Sequence, residues 1–140
     1  MTRVRFREGS SGRISGVITD IDGNPVEVDQ LTSATLTLYD IQTRTIINGR
    51  DHQDINAAGL SPSVLNNVSY EAGGIFHFDL QPEVEDVSPE VLGDNRLVVR
   101  RRQIERHQPE FYFEYPGGAF FYGPLDIEIE VTRAVRRATT

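Results

Sequence analysis

Asp20-Ile21-Asp22-Gly23-Asn24 places several oxygen donors close together, as a calcium-binding loop does. The segment lacks the further oxygen ligand at fixed spacing and the bidentate glutamate of a helix-loop-helix site. An Asp-Gly turn between two extended segments explains the same residues, because both residue types accept a positive φ. We therefore predict a hairpin turn here and no calcium site.

The three histidines form no recognisable metal-binding pattern. His52, His77 and His107 lie in separate segments, and no two have the i, i+4 spacing of a helical zinc motif. His77 alternates with Phe76 and Phe78, which predicts a position on the solvent face of a strand or in a polar contact. The chain has no cysteine, so Cys-based zinc sites, disulfides and a thiolate nucleophile are excluded. We expect no metal and no other cofactor.

Glu105 and His107 have the spacing of an acid-base pair, because alternate residues of an extended strand share one face. No Gly-x-Ser-x-Gly elbow supplies a nucleophile and an oxyanion environment. A surface network of Arg102, Glu105 and His107 explains these residues without catalysis. We predict that the protein is not an enzyme.

Alternation of apolar and polar residues predicts that these side chains are carried by β-strands. Residues 125–132 alternate without interruption, so that one face is apolar and the acids of this run are expected to face water. Residues 34–40 and 75–80 have the same period. Seven to nine such short strands, separated by turn residues, predict an all-β chain that forms an immunoglobulin-like antiparallel β-sandwich.

A chain of 140 residues fits one domain. We predict an N-terminal strand or arm at residues 1–9, the sandwich at residues 10–133, and a flexible C-terminal arm at residues 134–140. Residues 43–48 are expected to form a strand. Residues 50–66 are rich in Asp, Asn, Gly, Ser and Pro, which predicts a connection with at most one helical turn near residues 53–58.

The last two long segments, residues 96–115 and 124–133, are predicted to pair antiparallel. Pro109 should force a bulge, an edge position or a break in the first of them. Between them lies an expected loop tip that carries Phe120, Phe121 and Tyr122. Aromatic side chains at a loop tip stack on sugars or anchor protein partners. They could equally cap one end of the core, and the sequence leaves both interpretations open.

The charge and hydropathy of the chain exclude several classes of partner. A net charge of -7 argues against a general nucleic-acid binder, which needs a basic surface. No apolar run is long enough to span a membrane, and no signal-peptide pattern is present, so we expect synthesis in a cytoplasm and no membrane contact. All 14 basic residues are arginines, whose guanidinium groups suit ordered contacts with carboxylates.

A resemblance to a known family lies mainly in the first part of the chain. The strand of residues 4–9, the hairpin of residues 16–28 with its Asp-Gly-Asn-Pro-Val turn, and the alternating strand of residues 34–40 resemble the N-terminal domain of BppU-type baseplate upper proteins of tailed bacteriophages. Residues 75–82 and 102–107 look like parts of small virion proteins with the same plan. The resemblance implies a sandwich that docks into a phage particle in symmetric copies, without catalysis. The long fibre-like region of baseplate upper proteins is not in this sequence, which favours a capsid decoration or cement protein, or a neck or tail accessory.

We therefore expect a non-enzymatic virion structural protein that binds neighbouring capsid, neck or tail subunits, and we expect no nucleic-acid partner. Many copies on a symmetric particle would gain affinity from multivalency. The residues expected to bind partners lie in the terminal segments and the aromatic tip: Arg3, Arg5, Arg7, Phe120, Phe121, Tyr122, Arg136 and Arg137. The alternative is a carbohydrate-binding β-sandwich module that uses Tyr112, Phe120, Phe121 and Tyr122.

Overall fold

The structure is a computed structural model that describes residues 2–7, 11–80, 90–92, 97–99, 104–123, 125–130 and 135–137. It is almost entirely β, with one 3-10 turn at Val28–Gln30. The strands are β1 (Thr2–Arg7), β2 (Gly12–Val17), β3 (Ser33–Asp40), β4 (Gln53–Asp54), β5 (Val64–Leu65), β6 (Val68–Glu71), β7 (Ile75–Leu80), β8 (Glu90–Leu92), β9 (Leu97–Val99), β10 (Ile104–Tyr115), β11 (Gly118–Tyr122), β12 (Leu125–Glu130) and β13 (Val135–Arg137). Eight of them have four residues or more, which agrees with the predicted seven to nine strands.

Two sheets form the sandwich. The larger has the order β1-β12-β10-β3-β4, with β11 also paired to β10, and the smaller has the order β2-β7-β6-β5. The sequences β3-β10-β12 and β2-β7-β6 match the C-F-G and B-E-D strand orders of an immunoglobulin-like sandwich. This confirms the predicted fold class. Strands β13, β9 and β8 form a separate three-stranded sheet.

The core lies between the two sheets because each central strand alternates in hydropathy. In β3 the residues Ala34, Leu36 and Leu38 are buried, as predicted, while the residues between them are partly exposed. Phe76 and Phe78 of β7 are fully buried and face Phe111 and Phe113 of β10 across the core. Burial of four phenylalanines in one cluster is the main apolar contact between the sheets.

Strand β10 pairs with β3 on one side and with two strands in succession on the other. Residues 104–107 pair with β12 and residues 111–115 pair with β11. Pro109 lies between these two ranges. Its register partner Leu38 donates to the carbonyl of Arg50 and accepts from Ile47, so the pair Leu38–Pro109 is not hydrogen bonded. Pro109, which has no N–H, therefore faces the point where one partner strand ends and the next begins. Strand β10 itself is not broken at Pro109, so of the three predicted outcomes the structure shows a local edge position.

The predicted antiparallel pairing of the last two long segments is confirmed, because residues 104–107 of β10 pair with residues 127–130 of β12, but the expected aromatic tip is wrong. Phe111 and Phe113 pair with β11 and not with β12. The residues assigned to a loop tip, Phe120, Phe121 and Tyr122, belong to β11, which forms a two-residue hairpin with β10 at Pro116-Gly117. Aromatic residues have a high preference for strands, and Gly117 has the positive φ of 96° that this turn requires.

Several smaller expectations also change. No helical turn forms at residues 53–58, because residues 53–54 pair with β3 as the short strand β4. Residues 43–48 make one isolated bridge, from Ile46 to Tyr39, in place of a strand. The predicted return strand after the Asp-Gly turn makes one bridge, from Pro25 to Thr19, and then enters the 3-10 turn. Strands β6 and β7 form an antiparallel hairpin, and the Glu27 carboxylate accepts the N–H groups of Gly73 and Gly74 at its turn.

The N-terminal strand β1 lies at the edge of the larger sheet and runs parallel to β12. Residues 135–137, expected to belong to an arm, pair with β9. Residues 1, 8–10, 134 and 138–140 lie outside the described residues, as do most of the acidic segment 81–95 and Arg100 to Arg102. Among the described residues, no helix is long and apolar enough to cross a membrane.

Candidate functional site

Four aromatic residues predicted to act together are divided between the two faces of the larger sheet. Tyr112 and Phe121 are register partners on β10 and β11, and their side chains are 39% and 51% exposed. Phe120 packs against Phe113, and Tyr122 packs edge-on against Phe76, so both face the core. Phe120 and Tyr122 therefore contribute to the core, as one interpretation of the sequence expected, whereas Tyr112 and Phe121 remain exposed. The alternation of a strand, which a loop tip does not have, separates them.

The exposed pair lies in a shallow groove on the outer face of the sheet. Tyr112 is the register partner of Thr35 on its other side, so that Thr35, Tyr112 and Phe121 form one row across three strands. The polar residues that line the groove around this row are Ser33, Thr35, Thr37, His52, Glu110 and Glu114. The aromatic rings of such a groove can stack on a ligand, and the neighbouring hydroxyl and carboxylate oxygens can accept hydrogen bonds from it.

Local hydrogen bonds hold several of these polar groups in place. The backbone N–H of His52 donates to Thr37 Oγ1 over 3.0 Å, and its ring Nδ1 lies 2.7 Å from Asp51 Oδ1. The pKa of Tyr39 is raised by burial first, and then by the charge of Glu110 and a hydrogen bond with it. Glu110 is thereby tied to the neighbouring strand, since Tyr39 belongs to β3.

The predicted partner-binding arginines of β1 lie opposite acids of β12. The parallel register pairs Arg3 with Asp126, Arg5 with Glu128 and Arg7 with Glu130. For the middle pair the Arg5 Nη2 to Glu128 Oε2 distance is 3.0 Å. Arg5 therefore has a structural partner, although its side chain remains 56% exposed. Arg136 and Arg137 lie in β13, opposite Val98 and Leu97.

The acids of β12 do not face water as expected. Asp126 and Glu128 are 6% and 4% exposed. Glu128 lies between Arg5 on one neighbouring strand and Arg106 on the other. The ion pair with Arg5 makes burial of the Glu128 carboxylate tolerable, because a buried charge needs an opposite charge or hydrogen bonds. The alternating pattern therefore predicts the two faces of β12 correctly, but it does not show that acids on the polar face are buried.

Asp40, Glu105 and His107 form a polar cluster on the core side of the larger sheet. Asp40 is the register partner of His107, and the His107 Nε2 to Glu105 Oε1 distance is 3.0 Å. Asp40 and His107 are fully buried and Glu105 is 2% exposed. The expectation of a surface network that contains Glu105 and His107 is therefore wrong, because both residues point inward with Phe111 and Phe113. Arg102, its third member, lies outside the described residues.

This cluster has the donor set of a metal site. The ligand atoms of Asp40, Glu105 and His107 lie within 4.8 Å of one another, and one imidazole with two carboxylates suits a divalent cation such as Zn²⁺. Sequence reasoning missed this grouping because Asp40 lies on a distant segment. Asp40 Oδ1 also accepts the N–H groups of Gln42 and Thr43, which fixes the turn after β3. The contacts are those of a structural network, and their burial leaves no access for a substrate.

The remaining polar candidates have structural contacts. Asp20 Oδ1 accepts the N–H groups of Asp22 and Asn24, each over 2.9 Å, so the predicted hairpin turn is confirmed. His77 Nδ1 lies 2.5 Å from Ser15 Oγ, and its Nε2 lies 2.8 Å from Glu71 Oε2. The predicted polar contact of His77 is thereby confirmed.

A scan against protein-family models and a search of curated proteins find no match to this chain. The chemistry that it can perform must therefore be argued from its own surfaces.

Proposed function

We propose that this protein is a non-enzymatic structural protein of a tailed-phage virion that binds neighbouring subunits through a sheet edge. One observation carries the proposal: β1 pairs with β12 on one side, and within the described residues no strand pairs with its other side. Such an edge presents unpaired backbone N–H and C=O groups to a strand of another subunit. The resemblance to baseplate upper proteins, which includes this strand, favours a neighbour in a virion.

The pairing of β10 shows how β12 is oriented. Ile41 donates its N–H to the carbonyl of Arg106, so Arg106 directs its backbone groups toward β3. Glu105 and His107 must then direct theirs toward β12, because successive residues of a strand face opposite sides. Their register partners Ile129 and Ile127 face β10 in return. Asp126 and Glu128 alternate with these isoleucines along β12, so their backbone groups point the other way and bond with β1.

The same alternation identifies the free groups of β1. In a parallel pair, a residue bonds to the two neighbours of its register partner, and the register partner of Glu128 is Arg5. Val4 and Phe6 therefore bond to β12, whereas the N–H and C=O groups of Arg3, Arg5 and Arg7 face the free edge. A partner strand added at this edge would meet the backbone donors and acceptors of these three residues.

The test separates the backbone group of Arg5 from its side chain. Arg5→Pro and Arg5→Ala both remove the ion pair with Glu128, but only proline removes the edge N–H. Proline is tolerated at an edge strand when its nitrogen faces outward, so both variants should fold. We would complement a phage that lacks this gene with each variant and quantify the protein in purified particles by mass spectrometry.

We expect wild-type protein at a copy number that matches a capsid, neck or tail symmetry. Arg5→Pro should lower incorporation about tenfold relative to Arg5→Ala, because one edge hydrogen bond and the fit of the added strand are lost. Equal incorporation of the two variants would overturn edge pairing through β1. Absence of the wild-type protein from purified particles would overturn the virion assignment.

A further inference from the structure

We propose that the groove around Tyr112 and Phe121 is a binding site for a neutral oligosaccharide. The proposal does not depend on the virion assignment, because it rests on the outer face of the larger sheet and not on the edge at β1. Of the four aromatic residues considered from sequence, it uses the two that the structure leaves exposed.

The two rings are suited to stacking. Tyr112 and Phe121 are directly opposite on antiparallel strands, at a spacing that brings side chains on one face into contact. A methyl group at Gly123 would lie 3.2 Å from the Phe121 ring, so Gly123 lies close to this ring. Two exposed rings on neighbouring strands offer an apolar platform to the C–H face of a sugar.

Hydrogen-bonding groups surround this platform on the same face. Alternation along β10 places Glu110 and Glu114 on either side of Tyr112, and alternation along β3 places the hydroxyls of Thr35 and Thr37 beside them. Carboxylates accept hydrogen bonds from hydroxyl groups, and threonine hydroxyls both donate and accept. Sugar rings combine an apolar face with a rim of hydroxyls, which matches this arrangement.

The charge of the groove selects among ligands. Two of the residues that line it are glutamates, and none is Arg or Lys. Nucleic acids and acidic polysaccharides would place negative charge beside Glu110 and Glu114, which is unfavourable. Six of the eight described residues that line the groove carry hydroxyl, imidazole or carboxylate groups beside the two rings, unlike the dry pocket that usually receives an aromatic anchor from a protein partner. A neutral oligosaccharide therefore fits it better than an anionic polymer or a protein.

The experiment uses the full chain and an array of neutral gluco-, manno- and galacto-oligosaccharides, with uronic-acid oligosaccharides as the anionic comparison. The affinity of the neutral compound with the strongest signal would be measured by calorimetry for the wild type, Tyr112→Ala, Phe121→Ala and Tyr112→Phe. Val64→Ala is the matched control, since Val64 is an exposed apolar residue on the smaller sheet. Circular dichroism and thermal melts would confirm that each variant is folded.

We expect binding of at least one neutral compound, with about tenfold weaker affinity in each alanine variant and little change in Tyr112→Phe or Val64→Ala. Absence of neutral-glycan binding, or wild-type affinity in both alanine variants, would overturn the proposal. Preference for the uronic acids would overturn the charge argument. If the alanine variants fail to enter particles while no glycan binds, the groove is a protein interface and this inference fails, although the virion assignment stands.

Discussion

Replacement of Gly12 by alanine should loosen β1 without unfolding the sandwich. Gly12 begins β2, and the ring of Phe6 from β1 lies directly over it. A methyl group at position 12 would be 1.9 Å from Phe6 Cε1 and 2.2 Å from Cδ1. Because the strand is extended at Gly12, this glycine is needed for close approach and not for an unusual φ.

The size of the effect follows from the displacement required. Nonbonded carbons rest at about 3.5–4.0 Å, so the ring must move by roughly 1.5–2 Å. Overpacking of this kind costs about 1–3 kcal/mol. Phe6 is partly buried and lies on an edge strand, so we expect the strain to be released by local opening of β1 rather than by global unfolding.

Hydrogen exchange at single amides would measure this opening. The amides of Val4 and Phe6 face β12, and a loss of about 1–3 kcal/mol should accelerate their exchange roughly 5- to 150-fold. The amides of Phe76 and Phe78, in the centre of the smaller sheet, should exchange at nearly the wild-type rate. NMR-detected exchange under native conditions resolves both groups in one experiment.

A second substitution provides the control. In a Phe6→Ala background the ring is absent, so Gly12→Ala should add little further acceleration. Unchanged exchange of Val4 and Phe6 in Gly12→Ala would refute the close-approach argument. An effect of Gly12→Ala that persists in full without the Phe6 ring would refute it equally.

Three further predictions concern the core and its polar groups. Phe76→Ala should lower the free energy of unfolding by about 3–5 kcal/mol, because its ring meets three others at 4.9–5.1 Å; a loss below about 1 kcal/mol in urea denaturation would contradict this. His107→Leu should cost about 3 kcal/mol by removing a buried partner of Glu105, and a variant as stable as the wild type would show that the pair contributes nothing. Burial, and then the charge of Asp54, raise the pKa of Tyr70, so folding stability should fall as pH rises above about 10, where the unfolded phenol ionises. Tyr70→Phe should reduce that slope, of which Tyr39 contributes a further part, and should cost about 1 kcal/mol through loss of the hydrogen bond to Ile55; an unchanged slope would contradict the assignment.

Alternation of residue types was sufficient to predict most of the scaffold. Strands β3 and β7 follow from it, and the apolar residues of their predicted core faces are the ones that the structure buries. The Asp-Gly turn and the local edge position of Pro109 could also be predicted, because each depends on the local conformational properties of one or two residues. These features are local in sequence.

Features that depend on which strands pair could not be predicted in the same way. The aromatic run of β11 contains no polar alternation strong enough to reveal a strand, and its two faces became distinct only when its hairpin partner was known. The Asp40–Glu105–His107 cluster likewise requires β3 and β10 to be neighbours. The sequence identified the four aromatic residues near the groove. It did not show that Tyr112 and Phe121 lie on the outer face of the sheet while Phe120 and Tyr122 face the core.

The parallel pairing of β1 with β12 also constrains how the chain folds. Arg5 and Glu128 are 123 residues apart, so the sheet edge can close only after β12 has been synthesised. Until then Val4 and Phe6 lack the strand with which they pair. Pairing at such sequence separation slows folding, because loop closure precedes the gain from contact. Closure of this sheet edge is therefore expected to be a late step in folding.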